Sequence, residues 1–120
     1  MRDVLRKQGS LEELIVVTST SAWTPRSRES IYNFVKAGER LFTKAMVVDD
    51  INRVGRALDV GPGGMNTDFW AGQGRQDLAQ MLDPGWVADE IMSLRGNEYR
   101  YLAASILRNP ARTEITETTP

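Results

Sequence analysis

The sequence predicts an α/β domain in which a short sheet of about three strands is flanked by helices. Three observations predict it. The run Leu14-Ile15-Val16-Val17 is continuously apolar, as in a strand buried on both faces of a parallel sheet. From Ser27 or Arg28 to Met46 or Val48, apolar residues recur with a helical period. A second strand, Arg56 to Val60, runs into Gly61-Pro62-Gly63-Gly64, where little side-chain bulk lets a backbone approach a ligand closely.

Taken in order, residues 2–8 read as a short helix stopped by Gly9, followed by a strand over Leu14 to Thr18. Ser19 to Arg28 is rich in Ser, Thr and Pro and reads as a loop. Trp23 in that loop either lines a pocket or packs the loop onto its own domain. In the long helix, Ile31, Phe34, Val35, Leu41, Phe42, Ala45 and Met46 form the stripe expected to bury against the sheet or a partner. Asp49, Asp50 and Asn52 make a polar turn before the second strand. Phe69, Trp70, Gly72 and Gly74 open a mobile-looking segment that leads into a short helix over Arg75 to Leu82. Asp83-Pro84-Gly85 breaks the chain, a helix restarts at Trp86 and runs to Leu94, and Gly96-Asn97 ends it. Tyr99 to Leu107 reads as a further helical patch, with Tyr99, Leu102, Ala103 and Ile106 on one side. Thr113 to Glu117 is a final short strand within a partly frayed tail over residues 109–120.

Composition narrows the function classes. A chain of 120 residues with 41% apolar and 26% charged residues reads as one globular domain. Its net charge of −1 argues against nucleic acid or an anionic membrane as a partner. There is no cysteine and no histidine, which removes the thiolate nucleophile, the commonest general base and the commonest metal ligands. No metal site is expected, and proton chemistry falls to Tyr, Lys or carboxylates. The amino terminus is charged where a signal peptide is apolar, and no apolar run reaches about 18 residues. A cytoplasmic protein is the expectation.

The chemistry that stands out belongs to Ser19, Tyr32 and Lys36. Tyr32 and Lys36 are at i and i+4, so a helix sets them on one face. Ser19 lies thirteen residues before Tyr32, at the end of the first strand. A neighbouring ammonium favours a phenolate, so such a tyrosine can exchange a proton with a carbonyl or alcohol oxygen. A serine hydroxyl donating to the same oxygen would complete the site.

Ser19, then Tyr32-Asn33-Phe34-Val35-Lys36, then Pro62-Gly63-Gly64-Met65-Asn66-Thr67 resembles the carboxyl-terminal half of a short-chain dehydrogenase/reductase. The order Ser, Tyr-x-x-x-Lys and Pro-Gly-x-x-x-Thr matches, at close to the family's spacing. The resemblance implies a partial Rossmann-like fold with a parallel sheet, an NAD or NADP cofactor, and a small carbonyl or alcohol substrate. It makes Ser19, Tyr32 and Lys36 catalytic, with Tyr32, Lys36, Pro62, Gly63, Met65 and Thr67 touching the cofactor. Ser21, Trp23, Phe69 and Trp70 would line the substrate, although the aromatics serve equally well as core packing. Arg56-Ala57-Leu58-Asp59-Val60 departs from the family's usual Arg-Val-Asn-x-Val by placing Leu58 where an Asn stands.

The resemblance spans most of the chain but only half of the family's domain. No G-x-G-x-x-G follows a strand, so the pyrophosphate cradle is absent from these residues. The family's active-site Asn and the residues that choose between NAD and NADP would likewise lie upstream of Met1. A sheet cut there leaves an open apolar edge, and such edges recruit other strands. A homo-oligomer, or assembly with a separate amino-terminal half, is therefore expected. The alternative function is a non-catalytic dimerisation or interaction module derived from the same family.

Overall fold

The computed structural model describes residues 12–49, 51, 53–75 and 77–120. The expected helix over 2–8 with its stop at Gly9, and Asp50 and Asn52 of the polar turn, fall outside them. The described chain runs β1 (Glu13–Val17), α1 (Ser30–Ala45), β2 (Arg56–Pro62), α2 (Pro84–Leu94), β3 (Tyr101–Leu107) and β4 (Arg112–Thr119). Short 3-10 turns stand at Thr20–Ala22, Asp68–Trp70 and Leu78–Gln80. The result is a mixed α/β fold with a four-stranded sheet in the order β1-β2-β3-β4. The first three strands are parallel, with Val16 beside Asp59 and Asp59 beside Ala103, and β4 returns antiparallel to β3.

The sheet has four strands rather than the expected three, because Tyr101–Leu107 is a strand and not a helix. Six of its seven residues are buried, since it lies inside the sheet with a helical layer on each face. A continuous apolar run fits a buried strand and a buried helix equally well, and pairing with β2 decides for the strand. Residues 112–119, expected as a short strand in a frayed tail, pair along β3 to Thr119. Thr116 is the extra residue of a bulge opposite Ala103 and Ala104, and it donates its hydroxyl to the Ala103 carbonyl at 3.1 Å.

Strand alternation divides the core in two. Leu58, Val60, Leu102, Ala104 and Ile106 pack with Val87 and Leu94 of α2 on one face. Ala57, Tyr101 and Ala103, with Leu14, pack on the other face with Met46, Val47 and Val54 just after α1. α2 begins at Pro84, two residues earlier than expected. The Asp83 carboxylate caps it by accepting from the Trp86 N–H at 2.8 Å, and proline suits the first helical position. The expected helix over 75–82 is only the turn Leu78–Gln80. At the amino-terminal end of the sheet, Arg95 and Arg56 converge on Glu13, and Arg95 chiefly holds that carboxyl below the usual carboxylate range.

Of the α1 stripe expected to bury against the sheet or a partner, only Met46, just past the helix, is buried in the domain. Thr43 is fully buried and Asn33, Lys36 and Arg40 are partly buried, whereas Ile31, Phe34, Val35, Leu41 and Phe42 are exposed. The polar side of the helix finds hydrogen-bond partners on the loop and sheet, and the apolar side faces away from them. Among the described residues β1 is an edge strand, and Ile15 and Val17 on it are exposed. No helix among the described residues is long and apolar enough to cross a membrane.

Candidate functional site

The carboxyl ends of the parallel strands carry the loops where open α/β sheets place their ligands. Ser19 leaves β1 and starts the turn Thr20–Ala22, accepting the Ser21 N–H on its hydroxyl at 3.1 Å. That turn packs against α1, and Asn33 fastens the two together. The Asn33 amide donates to the carbonyls of Ser21 at 2.6 Å and Thr24 at 2.9 Å, and its side-chain oxygen accepts the Arg26 N–H at 3.1 Å. One side chain therefore holds the loop that carries Ser19 beside the helical turn that carries Tyr32.

Tyr32 and Lys36 share the side of α1 next to this loop. The Lys36 ammonium sits 5.6 Å from the centre of the Tyr32 ring, within reach of a cation–π contact. It also donates to both oxygens of Glu39, at 3.2 and 3.4 Å. Tyr32 is half exposed. Among the described residues no hydrogen bond joins Ser19 to Tyr32 or Lys36. The sequence-predicted trio thus divides into a helix-borne pair in contact and a neighbouring serine whose hydroxyl caps its own turn.

The segment after β2 is strapped down at its start. Pro62 ends the strand beside Ile106, and the Gly63 N–H donates to the Ile106 carbonyl at 2.8 Å. Met65 pairs with Leu82, and its carbonyl accepts the Trp70 indole N–H at 2.9 Å. Thr67 is exposed, and its hydroxyl caps no turn. Phe69 meets Trp70 edge-on at 4.8 Å and Arg75 stacks on Trp70 at 4.7 Å. No ring contact joins either aromatic to Trp23 or Tyr32 among the described residues. Of the four expected substrate-lining residues, Ser21 is buried and Trp23, Phe69 and Trp70 fall into two separate groups.

Trp23 packs the loop onto the domain. A Cβ at Gly61 would stand 2.8 Å from the Trp23 ring, so glycine is what admits the indole there. Arg40 also stacks on Trp23, 4.7 Å from the ring centre, and reaches Asp59 with Nε at 3.8 Å.

Asp59 is the functional-looking residue that sequence reasoning passed over. It is fully buried in β2, where Thr18 donates to one carboxylate oxygen at 2.6 Å and Tyr101 to the other at 3.2 Å. Burial raises its pKa, against the opposing pull of Thr18, Arg40 and Tyr101. Burial and the adjacent carboxylate push the Tyr101 hydroxyl well above its usual range. The available signal was an acid in the middle of an otherwise apolar strand.

A nicotinamide dinucleotide would find donors here at one end only. Tyr32 and Thr67 present free surface, and a side chain at Gly63 would come no nearer than 3.7 Å to the Ile106 carbonyl. Neither α1 nor α2 follows a glycine-rich strand-to-helix turn, so a pyrophosphate seat is absent among the described residues. A separate cavity of about 570 Å³ lies between Met81, Leu82, Trp86 and the Arg108–Ala111 turn, and none of Ser19, Tyr32 or Lys36 lines it. No protein-family model matches the chain, and no curated protein matches it either.

Proposed function

We propose that the chain is the catalytic half of an NAD(P)-dependent oxidoreductase of the short-chain dehydrogenase type, working in truncated or split form on a partial Rossmann-like sheet. The observation that carries this reading is the Lys36 ammonium beside the Tyr32 ring, on a helix fastened to the Ser19 loop at the carboxyl edge of β1. The cofactor, when bound, supplies or takes up the hydride. Tyr32 exchanges a proton between its hydroxyl and the oxygen of a carbonyl or secondary alcohol. Lys36 lies beside it, with its ammonium 5.6 Å from the ring centre. Ser19 releases the Ser21 N–H and donates its hydroxyl to the same substrate oxygen. Lys36, Pro62, Gly63, Met65 and Thr67 would hold the nicotinamide end. The remaining cradle comes from chain outside these residues, or from a partner on the open edge of β1: a second copy or a separate amino-terminal half. Tyr32→Phe tests this, because it removes the transferable proton and nothing else. Carbonyl reduction should vanish while NAD(P)H binding persists, and a variant that turns over at the parent rate would end the proposal.

The second reading is a non-catalytic interaction module. The free edge of β1 and the outward apolar side of α1 favour it. Under this reading Tyr32→Phe changes nothing, and oligomeric state is the property that matters.

A further inference from the structure

Arg40 is held in place by charge and stacking more than by hydrogen bonds. Its Nε lies 3.8 Å from the Asp59 carboxylate, beyond hydrogen-bond range, and its guanidinium stacks on Trp23 at 4.7 Å. Nη2 donates to the Thr116 hydroxyl at a long 3.4 Å. The buried Nη1 has no hydrogen-bond partner among the described residues. A guanidinium carries five N–H donors, and one fixed by a carboxylate usually meets it through two parallel bonds. Arg40 has no such fork, and its side chain is 23% exposed, so a path to water is open. What draws it inward over Trp23 is the charge of a carboxylate that is itself fully buried.

The other charged groups around Asp59 leave that attraction standing. Glu39 on α1 faces the carboxylate but is paired with Lys36. Tyr101 of β3 donates to it, and burial and the carboxylate keep that hydroxyl protonated well above its usual range. Lys44 of α1 stands 5.8 Å from the centre of the Tyr101 ring and is paired with Glu117 of β4. The residue after β1, Thr18, brings a hydroxyl and no charge. On its other flank Trp23 belongs to the turn that carries Ser19. The Ser19 carbonyl accepts the Ala22 N–H at 2.9 Å, and the Thr20 carbonyl accepts the N–H groups of Trp23 and Thr24. A Cβ at Gly61 would stand 2.8 Å from the Trp23 ring and 3.0 Å from the Ser19 carbonyl carbon, so both settle on the same glycine.

We infer that Asp59 and Arg40 form a proton-controlled clamp on the Ser19 loop. The carboxylate holds Arg40 over Trp23; a proton on Asp59 lets Arg40 turn to solvent and loosens Trp23 and the turn that carries Ser19. Arg40 is thus a positioning residue, acting on Ser19 through Trp23. Asn33 ties the same loop at Ser21, Thr24 and Arg26, so opening the clamp loosens the turn without detaching it. Because burial raises the Asp59 pKa, the clamp closes as pH rises through a value above the ordinary carboxylate one of about 4. Any bearing on catalysis rests on the oxidoreductase reading, whereas the clamp itself needs neither cofactor nor turnover.

NMR and amide exchange on the full chain, without cofactor, test it. In the parent, protection at Ala22, Trp23 and Thr24, corrected for intrinsic rates, should rise about tenfold between about pH 4 and pH 7. The Trp23 indole resonance should shift along a one-proton curve over the same range, while β2 and β3 keep their protection. Asp59→Asn keeps the shape and removes the titration, so it should abolish the curve and leave the loop loose throughout. Arg40→Met keeps the stem without the charge and should do the same, whereas Arg40→Lys should retain a curve. Loop protection equal at both pH values in the parent would overturn the inference whatever the variants do. So would a Trp23 curve that survives Asp59→Asn or Arg40→Met, or an Arg40→Lys variant indistinguishable from Arg40→Met. A chain that shows the clamp but no NAD(P)H binding would keep this inference and count against the oxidoreductase reading of the chain alone.

Discussion

Thr18 donates its hydroxyl to the Asp59 carboxylate at 2.6 Å, joining the residue just after β1 to the centre of β2. Tyr101 and Arg40 complete the cluster, and Arg40 carries it on to Trp23 and the Ser19 loop. A buried carboxylate that loses a donor keeps the cost of its burial. Thr18→Val should therefore lower stability by about 1–3 kcal/mol, measured by urea unfolding. A change of a few tenths would mean that water replaces the hydroxyl.

The same carboxylate gives a pH dependence with a definite sign. Its pKa is raised on folding, so the folded state holds the proton more tightly than the unfolded chain does. Its contribution is full below an ordinary carboxylate value of about 4 and is lost as pH rises through the folded value. The difference in melting temperature between the parent and Asp59→Asn should therefore move against the parent from pH 4 to pH 7. A difference that is flat, or that favours the parent at neutral pH, would show that Asp59 titrates normally.

Asn33 should control the Ser19 loop. Asn33→Ala removes three hydrogen bonds to Ser21, Thr24 and Arg26, each worth about 0.5–1.5 kcal/mol net. Amide exchange at Arg26, whose N–H the side chain now accepts, should speed up at least tenfold while β2 and β3 stay protected. Unchanged exchange would place the restraint elsewhere.

Glu39 competes for Lys36. Their pair is partly exposed, and such pairs are worth about 0–1 kcal/mol. Glu39→Gln should free the ammonium and tighten NAD(P)H binding by up to about fivefold. Weaker binding in this variant would mean that Glu39 positions Lys36 rather than restraining it.

Much of the framework was legible in the residues. β1, α1 and β2 lie where apolar runs, period and glycines put them, because each signal is local. Tyr101–Leu107 was not, since Leu102, Ala103 and Ile106 satisfy a helical spacing as well as a buried strand does. Which surface, its own sheet or a partner, would cover the apolar side of α1 stayed open for a different reason. Amphipathicity shows that a helix has an apolar side, but not whether its own sheet or another surface covers it. In this chain Asn33 finds its partners on the Ser19 loop and Arg40 reaches Asp59 in the sheet, while Phe34 and Leu41 are exposed. Within the site, the i, i+4 spacing placed Tyr32 and Lys36 together, whereas the partners of Asp59 come from the end of β1, from β3 and from α1 across long stretches of sequence, and only the acid within a mostly apolar strand marked it locally.

The most direct test of the catalytic reading is a fluorescence titration of the chain with NADH and with NADPH, repeated with Lys36→Ala. Saturable binding to one of the two, weakened at least tenfold by the substitution, is the predicted result. An absence of saturation up to millimolar cofactor would contradict the oxidoreductase reading for the chain alone and leave a separate amino-terminal half or the interaction module in its place.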